Sequence, residues 1–199
     1  IYADQFSVLQ SPIESRNGLI AAATSLIKYV LPKFARETDA VIIDTHLSRK
    51  SQALLELSLG QIPQLWGNPV HPDMSVDTKR RQRLIDVSVG DNFETFVRTL
   101  LVETLPRCYL ESYSQLRSLA RTIRWPAKPK FIYTAGAFDT NECFKLWAAK
   151  KATDGVPYFT GQHGAGYNSH LYLKTNFDPE VSASDAFLTW GWSDDQSNT

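Results

Sequence analysis

The sequence predicts an open α/β fold of Rossmann-like character, with a parallel sheet flanked by helices. Short, almost continuously apolar runs, typical of strands covered on both faces, recur along the chain. Segments with helical periodicity separate these runs, as parallel strands joined by crossover helices require. The length of 199 residues suits one such domain, and 43% hydrophobic with 21% charged residues is the composition of a globular chain.

Four apolar runs are predicted to form the strands of this sheet. They lie at residues 40–44, 130–134, 156–161 and 186–191. A fifth candidate at residues 62–66 contains Pro63, which lacks an N–H and would confine that strand to an edge or to a strand start.

Segments with helical spacing of apolar residues are predicted to form the helices, at residues 19–34, 48–59, 91–105, 107–123 and 139–153. Pro32 closes or kinks the first of them, and Gly60 ends the second. Asp91 caps the third, and the fourth follows Pro106. The fifth opens at Asp139 with a carboxylate-rich first turn, which complements the helix dipole.

These elements divide the chain into an N-terminal helical segment at residues 1–39, a first half at residues 40–124 and a second half at residues 130–192. The proline-containing segment 125–129 is a stiff link between the two halves. The chain opens with Ile and ends in a polar run at residues 193–199, so we expect a single α/β domain taken from a longer protein.

Composition and charge disfavour several classes of protein. The 21 basic residues balance the 21 acidic residues, so the chain has no overall attraction for nucleic acid or anionic lipid. The basic run at residues 79–83 is predicted to be a solvated helix face, with anion binding as the alternative.

Cys108 and Cys143 lack metal-ligand spacing, which favours reduced thiols in a cytosolic protein. The longest apolar stretch, at residues 18–31, contains Lys28 and is too short to span a bilayer, and no cleavable signal is visible.

The strongest candidate site follows the third predicted strand, because ligands of open α/β sheets bind outside the carboxyl ends of the strands. This strand runs into Gln162, His163 and Gly164, with Gly166 and Tyr167 beyond them. Glycine lets a substrate approach the main chain closely. His163 can serve as a general base or as a donor to a phosphate or sugar oxygen, while the alternative is that it only fixes its turn.

The exits of the first two strands supply further candidates. Asp44 and His46 present a carboxylate and an imidazole after the first strand, or they have a structural role. The junction at residues 135–142 can hold an anion on helix amides, or Asp139 caps the helix while Glu142 complements its dipole.

Carboxylates and aromatic residues surround the last strand. Glu180 and Asp185 can hold sugar hydroxyls or act as a base, although Asp185 also suits a turn. Trp66, Trp190 and Trp192 can stack on a sugar ring or belong to a core or an interface. From the residues alone, the sequence indicates an α/β domain with a glycine-rich, histidine-containing ligand loop.

Several longer stretches resemble a known family. They are residues 43–47 (Ile-Asp-Thr-His-Leu), 59–66 (Leu-Gly-Gln-Ile-Pro-Gln-Leu-Trp), 138–149, 161–167 and 184–192. Together they are similar to bacterial transferases encoded in O-antigen and other surface-polysaccharide gene clusters. The Gln-His-Gly and Asp-x-x-x-x-Trp-Gly elements are also similar to those of capsule-type 3-deoxy-octulosonate transferases and polyglycerol-phosphate transferases. The match covers most of the chain from about residue 40 onward.

The resemblance implies the N-terminal lobe of a two-domain GT-B enzyme, or part of that lobe. Gln162, His163 and Gly164 would then line the cleft between the lobes, with Glu180 and Asp185 nearby. The chain departs from the family pattern where Ala165 follows Gln-His-Gly in place of a further glycine, which removes some backbone freedom.

The function implied is a glycosyltransferase that moves a sugar from a nucleotide-activated donor to a surface polysaccharide of O-antigen type. The expected partners are the nucleotide-sugar donor, the glycan acceptor and a missing C-terminal domain of the same chain, with no nucleic acid. The resemblance to GT-B enzymes also implies that no metal or other cofactor is bound, which agrees with the lack of a DxD motif or metal-ligand cluster in the sequence. The expected location is the cytoplasm, including the inner face of the cytoplasmic membrane, and the isolated piece is expected to be inactive.

Two alternatives stay open, a polyol-phosphate transferase of the glycerophosphate type and a non-catalytic module that binds glycan or a partner. The predicted catalytic residues are His163, Glu180 and Asp185. The predicted substrate-binding residues are Gln162, Gly164, Gly166, Tyr167, Asp44, His46, Asn141, Glu142 and Trp190.

Overall fold

The computed structural model describes residues 30–64, 66, 75–84, 92–164, 167 and 179–193. Within them, four parallel strands form one sheet in the order β1-β2-β3-β4. The strands are β1 (Val41–Ile43), β2 (Ile132–Thr134), β3 (Tyr158–Gly161) and β4 (Ala186–Leu188). The predicted class, a parallel Rossmann-like sheet with flanking helices, is confirmed.

The α-helices of the described residues are α1 (Arg49–Ser58), α2 (Thr78–Gln82), α3 (Asn92–Thr104), α4 (Tyr113–Thr122), α5 (Ala137–Thr140), α6 (Glu142–Thr153) and α7 (Pro179–Ser182). Two 3-10 turns, Leu31–Phe34 and Arg107–Tyr109, accompany them. Most of the predicted helix at residues 19–34 lies outside the described residues, as does Asp91.

Two predicted helices are each divided in the structure. The predicted helix at residues 107–123 is a 3-10 turn followed by α4. The predicted helix at residues 139–153 is α5 followed by α6, because Asn141 has extended backbone angles (φ −123°, ψ 92°) between them. Asn141, and not Asp139, caps α6, since its side chain accepts a hydrogen bond from the Phe144 amide.

The main core lies between one face of the sheet and two helices. The strand register places four apolar side chains on one face of the sheet: Val41, Ile43, Ile132 and Tyr158. They form one apolar cluster with residues of the two helices, which are Leu116 and Ala120 of α4 and Phe144, Trp147 and Ala148 of α6. Helices α4 and α6 lie in the β1–β2 and β2–β3 connections. Because the strands follow one another in sequence order, right-handed crossovers bring both helices to the same face.

Both cysteines of the chain belong to this core or pack against it. Both described cysteines are free, and Cys143 is fully buried in the apolar cluster. Burial disfavours the thiolate and raises the pKa of the Cys143 thiol to about 11. Burial also raises the pKa of Cys108. Neither thiol is activated for nucleophilic chemistry by its surroundings.

The segment predicted as a fifth strand does not form one at its described residues, 62–64 and 66. The side chain of Gln61 makes the hydrogen bonds to the Ala40 backbone that a neighbouring strand would otherwise make. Its Oε1 accepts from the Ala40 amide (2.9 Å), and its Nε2 donates to the Ala40 carbonyl (3.0 Å). The amide group of one glutamine thereby satisfies the backbone where the chain enters β1.

A buried carboxylate supports Gln61 from α1. Glu56 is fully buried and accepts from Gln52 Nε2 (3.0 Å), from Gln61 Nε2 (3.4 Å) and from the Gln64 amide (2.7 Å). Desolvation by burial raises the pKa of Glu56 despite these hydrogen bonds. Helix α1 therefore turns a polar face toward the sheet, and it leaves Leu54 and Leu57 exposed.

The basic run at residues 79–83 is only partly the solvated helix face that was predicted. Arg81 is 4% exposed and pairs with Glu111, which is 5% exposed. Its Nε donates to Oε1 (2.6 Å) and its Nη2 to Oε2 (2.9 Å). The guanidinium also donates to the carbonyls of Val102 and Leu105 at the end of α3. Arg81 is therefore a structural tie between α2, α3 and the segment before α4.

No helix among the described residues has both the length and the apolar character needed to cross a lipid bilayer.

Replacing Gln61 tests its role at the edge of β1. Gln61→Leu is expected to lower the free energy of unfolding by about 2–4 kcal/mol, because the N–H and C=O of buried Ala40 lose their partners. The matched control is Gln115→Leu on the exposed side of α4, which should change stability by less than about 0.5 kcal/mol. Urea denaturation measures both variants, and equal stability of the two would contradict the role of Gln61.

The Arg81–Glu111 pair predicts a pH-dependent stability. Its hydrogen bonds with Arg81 hold the pKa of Glu111 below the ordinary value of 4.5. The stabilisation is therefore present above that value and is lost as the pH falls through the lower, folded-state pKa. Glu111→Gln is expected to cost about 3 kcal/mol at pH 7, because it leaves a buried guanidinium without its anion.

Unfolding free energies measured at several pH values test the role of the Arg81–Glu111 pair. The difference in unfolding free energy between wild type and Glu111→Gln should shrink as the solution is acidified below pH 4.5. Exposed Glu103 supplies the control variant, Glu103→Gln, for which the difference should stay small throughout. A wild-type advantage over Glu111→Gln that grows with acidification would contradict the assignment.

Candidate functional site

The exits of β1 and β2 lie against each other. The Ala135 amide donates to the Asp44 carbonyl (3.0 Å), which extends the parallel pairing by one step beyond the strands. A Cβ on Gly136 would lie 2.8 Å from Asp44 Oδ2 and 3.5 Å from His46 Nε2. The missing side chain of Gly136 therefore provides the space that the Asp44 carboxylate and the His46 imidazole occupy.

Asp44 and His46 have strained backbones. Their φ angles are 51° and 57°, in the left-handed region that costs a non-glycine residue roughly 1–2 kcal/mol. Thr45 between them is buried, and its hydroxyl accepts from the Leu47 amide and lies 3.3 Å from Gln52 Oε1. Both strained side chains are exposed, while the residue between them is held by its neighbours. Such strain is typical of functional sites.

His163 stands at the centre of the site. Its ring centroid lies 6.2 Å from that of His46, 5.9 Å from Phe138 of α5 and 5.5 Å from Tyr167. Its Nε2 is 3.1 Å from Oε1 of Glu180, and the side chain is 34% exposed. The structure thus brings the β1 exit, the β2 exit and the β3 exit to one imidazole that solvent can reach.

Glu180 reaches this imidazole from α7. Its Oε2 accepts a hydrogen bond from the Tyr167 hydroxyl (2.7 Å). Its main-chain carbonyl accepts from the hydroxyls of Thr160 (2.7 Å) and Ser184 (2.9 Å). Glu180, Tyr167 and His163, all predicted site residues, therefore form one connected group.

The side chain of Gln162 links two strand exits by hydrogen bonds. Its Oε1 accepts from the Trp190 amide (3.0 Å) and from Trp192 Nε1 (2.9 Å), and its Nε2 donates to the Gly164 carbonyl (2.8 Å). The side chain is almost completely buried. Gln162 therefore joins the exits of β3 and β4 and fixes the loop that carries His163.

Trp190 and Gly164 leave open surface at the β4 and β3 exits. The Trp190 side chain is 64% exposed, although its amide is held by Gln162. A Cβ on Gly164 would meet no atom within 4 Å, so a ligand can approach the main chain there. Gly166 lies outside the described residues. Trp66 packs in the core, so it is not available for stacking on a sugar.

Asp185, predicted to be catalytic, lies at the opposite end of the strands from His163. It precedes β4, and its Oδ2 accepts from the amide of Tyr158 (2.7 Å), the first residue of β3. The Asp185 amide in turn donates to the Tyr158 carbonyl (2.8 Å). Strand direction therefore separates Asp185 from His163, and these hydrogen bonds give it the structural role that the sequence left as the alternative.

Asn141 and Glu142, predicted to bind substrate, serve the start of α6. Asn141 is buried and caps the helix. Glu142 pairs with Lys145 (2.6 Å) and accepts a hydrogen bond from Tyr109, which together with burial raises the pKa of that tyrosine. The amides of Gly136 and Ala137 donate to Thr134 Oγ1 (3.2 and 2.9 Å), so the predicted anion site at this junction already has a protein acceptor.

Gly136 and Phe138 lie within the predicted junction at residues 135–142, but neither was predicted to contact the other site residues. The available signal was a glycine directly after a predicted strand, with an aromatic residue two positions further on. Within the described residues, no group of three or more His, Cys, Asp or Glu side chains is arranged to hold a metal ion.

A matched pair of glycine variants tests the close approach of the β1 and β2 exits. Gly136→Ala adds a Cβ in the space of the Asp44 carboxylate, which is the mobile end of an exposed side chain. We therefore expect Asp44 and His46 to move while the unfolding free energy changes by less than about 1 kcal/mol.

Nuclear magnetic resonance measures this movement directly. The side-chain signals of Asp44 and His46 should shift in Gly136→Ala and stay unchanged in the control Gly164→Ala, where a Cβ meets open space. Unchanged Asp44 and His46 signals in Gly136→Ala would show that Gly136 does not shape the site.

Comparison with known proteins relates nearly the whole chain to a family of transferases. The family model described as LIC12162 family transferase matches residues 4–199. No curated protein and no solved structure matches the chain. On the strength of a match along almost its full length, the chain belongs to the LIC12162 family of transferases.

Proposed function

We propose that this transferase moves a sugar from a nucleotide-activated donor to a hydroxyl of a growing surface polysaccharide of O-antigen type. Family membership supplies the general class, transfer of a group, and the proposal adds the group, the donor and the acceptor. The observation that carries it is the imidazole of His163, paired with Glu180 at an exposed carboxyl edge of a parallel sheet.

His163 has the chemistry that glycosyl transfer to a hydroxyl needs. An alcohol is a weak nucleophile until a base takes its proton. In the proposed step, His163 accepts the hydroxyl proton, the acceptor oxygen forms a bond to the anomeric carbon, and the bond from that carbon to the donor phosphate breaks. The electron pair of the broken bond stays on the departing nucleotide. The Glu180 carboxylate stabilises the imidazolium that forms, through its contact with Nε2.

The residues around His163 suit the two substrates. Trp190 offers an exposed indole on which a sugar ring can stack. Asp44 and His46 offer an acceptor and a donor for sugar hydroxyls or phosphate oxygens at the β1 exit. The proposal includes a second lobe of the full-length protein, which would cover this edge in the GT-B manner and hold most of the donor. It also includes action at the inner face of the cytoplasmic membrane.

A polyol-phosphate transferase is the second candidate. The observation that favours it is the second imidazole, His46, with its ring centroid 6.2 Å from that of His163. Two imidazoles on one edge can contact the oxygens of a phosphoryl group as it is transferred. In this case His163 takes the proton of the acceptor hydroxyl, and the acceptor oxygen forms a bond to phosphorus. The bond from that phosphorus to the nucleotide breaks, and its electron pair stays on the departing nucleotide.

Nucleotide release from CMP-, UDP-, GDP- and CDP-linked donors, measured with the full-length protein and glycan acceptor, tests the proposal. His163→Ala should lower turnover about 100-fold or more, as expected for loss of a general base, and the fold should be retained. Turnover should persist in EDTA, since no step of the proposal uses a metal. Wild-type turnover in His163→Ala would refute the role of His163.

Asp185→Asn is the control variant for a carboxylate outside the site. It weakens the pairing with the Tyr158 amide, so it should lower stability while the folded enzyme keeps its turnover. The group found on the acceptor distinguishes a glycosyltransferase from a polyol-phosphate transferase, because only the polyol-phosphate transferase adds a phosphate to the product. Glycan binding without turnover for any donor would instead favour a non-catalytic module.

A further inference from the structure

We propose that Tyr167 is a positioning residue that acts through Glu180 to fix the tautomer of His163, so that Nδ1 is the nitrogen that takes the acceptor proton. This inference deepens the proposed function and rests on it for the reaction. The tautomer of His163 follows from the hydrogen bonds and does not depend on which reaction the protein catalyses.

The hydrogen bond between His163 and Glu180 determines which imidazole nitrogen carries the hydrogen. A carboxylate can only accept, so in the 3.1 Å contact the hydrogen lies on His163 Nε2. A neutral imidazole carries one hydrogen, which leaves the lone pair on Nδ1. Within the described residues, His163 makes no hydrogen bond through Nδ1. Nδ1 is therefore the nitrogen available to a substrate.

The hydrogen bond from Tyr167 orients the Glu180 carboxylate. Tyr167 donates to Oε2 of Glu180 (2.7 Å) while His163 occupies Oε1, so each oxygen has its own donor. The Tyr167 ring stands edge-on to the His163 ring, at 86°, and it also lies against the buried ring of Phe187, with 5.4 Å between the ring centroids. Tyr167 is 7% exposed. Its hydroxyl has little room to move, and it fixes the plane of the carboxylate.

Hydrogen bonds also hold the main chain of Glu180 in place. The hydroxyls of Thr160 in β3 and Ser184 before β4 both donate to the Glu180 carbonyl. The carboxylate is thus held at its oxygens by Tyr167 and His163 and at its backbone by the sheet. Groups held at both ends lose little entropy when the substrate binds, which is the condition for effective orientation of a base.

The polar groups that face His163 come from separate elements. Glu180 approaches from α7, Tyr167 from the loop after β3 and His46 from the β1 exit, while α5 contributes the uncharged ring of Phe138. The carboxylate of Asp44 lies next to Gly136 on the β1 side. Among these groups, Glu180 is the one that bonds the imidazole, so it selects the tautomer.

The proton then moves along a defined route. The acceptor hydroxyl gives its proton to Nδ1, its oxygen bonds to the anomeric carbon, and the donor phosphate leaves with the electrons of the broken bond. The imidazolium carries a hydrogen on both nitrogens, and its Nε2–H keeps the bond to Glu180. Tyr167 touches neither substrate nor reacting atom, and it contributes by holding Glu180.

Nitrogen-15 spectra of the imidazoles test the tautomer without any assay of activity. In wild type, the neutral ring of His163 should carry its hydrogen on Nε2, with His163→Asn identifying the signals. Glu180→Ala should give a mixture of tautomers, and Tyr167→Phe should shift the signals toward that mixture. A wild-type ring with its hydrogen on Nδ1, or a tautomer ratio unchanged by Tyr167→Phe, would overturn the inference.

Two controls separate orientation from structure. Tyr113→Phe removes a hydroxyl from the surface of α4 and should leave the His163 signals unchanged. Phe187→Leu loosens the packing behind Tyr167, so it should lower stability while the hydrogen remains on Nε2. A change of tautomer in Phe187→Leu as large as that in Tyr167→Phe would mean that packing, and not the hydroxyl, sets the tautomer.

Kinetics of the full-length protein complete the test. Tyr167→Phe should lower kcat about tenfold, because a less well oriented base is less effective, while KM stays within about twofold. An unchanged kcat, or a loss confined to KM, would overturn the positioning role. If His163→Ala retains full turnover, the proposed function fails, and the tautomer measured by resonance still decides the structural part separately.

Discussion

The site depends on the parallel, in-register pairing of the four strands. Because all four run in one direction and neighbour one another in sequence order, their carboxyl ends meet at one edge. Side chains that lie more than 100 positions apart in the sequence, such as His46 and His163, become neighbours only through this pairing. A slip of β2 by one residue would move Gly136 away from Asp44 and reverse which side chains face the core.

In the part of the chain that the structure describes, polar side chains satisfy backbone groups at the ends of the strands. Gln61 satisfies the backbone at Ala40, and Asp185 satisfies the Tyr158 amide where β3 begins. Gln162 performs a similar task between the exits of β3 and β4. Gln162 and Asp185 read as functional candidates in the sequence, since buried amides and carboxylates belong to the same residue types as ligand-binding groups. The physical difference is that their hydrogen-bonding atoms are used by the backbone.

The fold could be predicted because its signals are local. Apolar runs and helical periodicity identify β1 to β4 and the longer helices, and for these elements only the ends and breaks differ. The candidate strand at residues 62–66 is wrong at its described residues. The break at Asn141 was missed because a cap inside a helical pattern resembles a polar position on the surface of that helix. The buried pairing of Arg81 with Glu111 was missed because its partner lies 30 residues away. Of the site, the place of His163 directly after a strand follows from the sequence. Its contact with Glu180, and the position of Asp185 at the other end of the strands, required the three-dimensional structure.

The strain at Asp44 and His46 shows how such a site can be stable. Each left-handed residue costs roughly 1–2 kcal/mol, so the turn after β1 would relax if the sheet did not hold it. The Ala135 amide holds the Asp44 carbonyl, and Thr45 is buried between the two strained residues. Glycine would relieve the strain at either position, but it would remove the carboxylate or the imidazole. Asp and His tolerate this backbone region better than most side chains do, so the turn keeps polar chemistry at a cost that its neighbours offset.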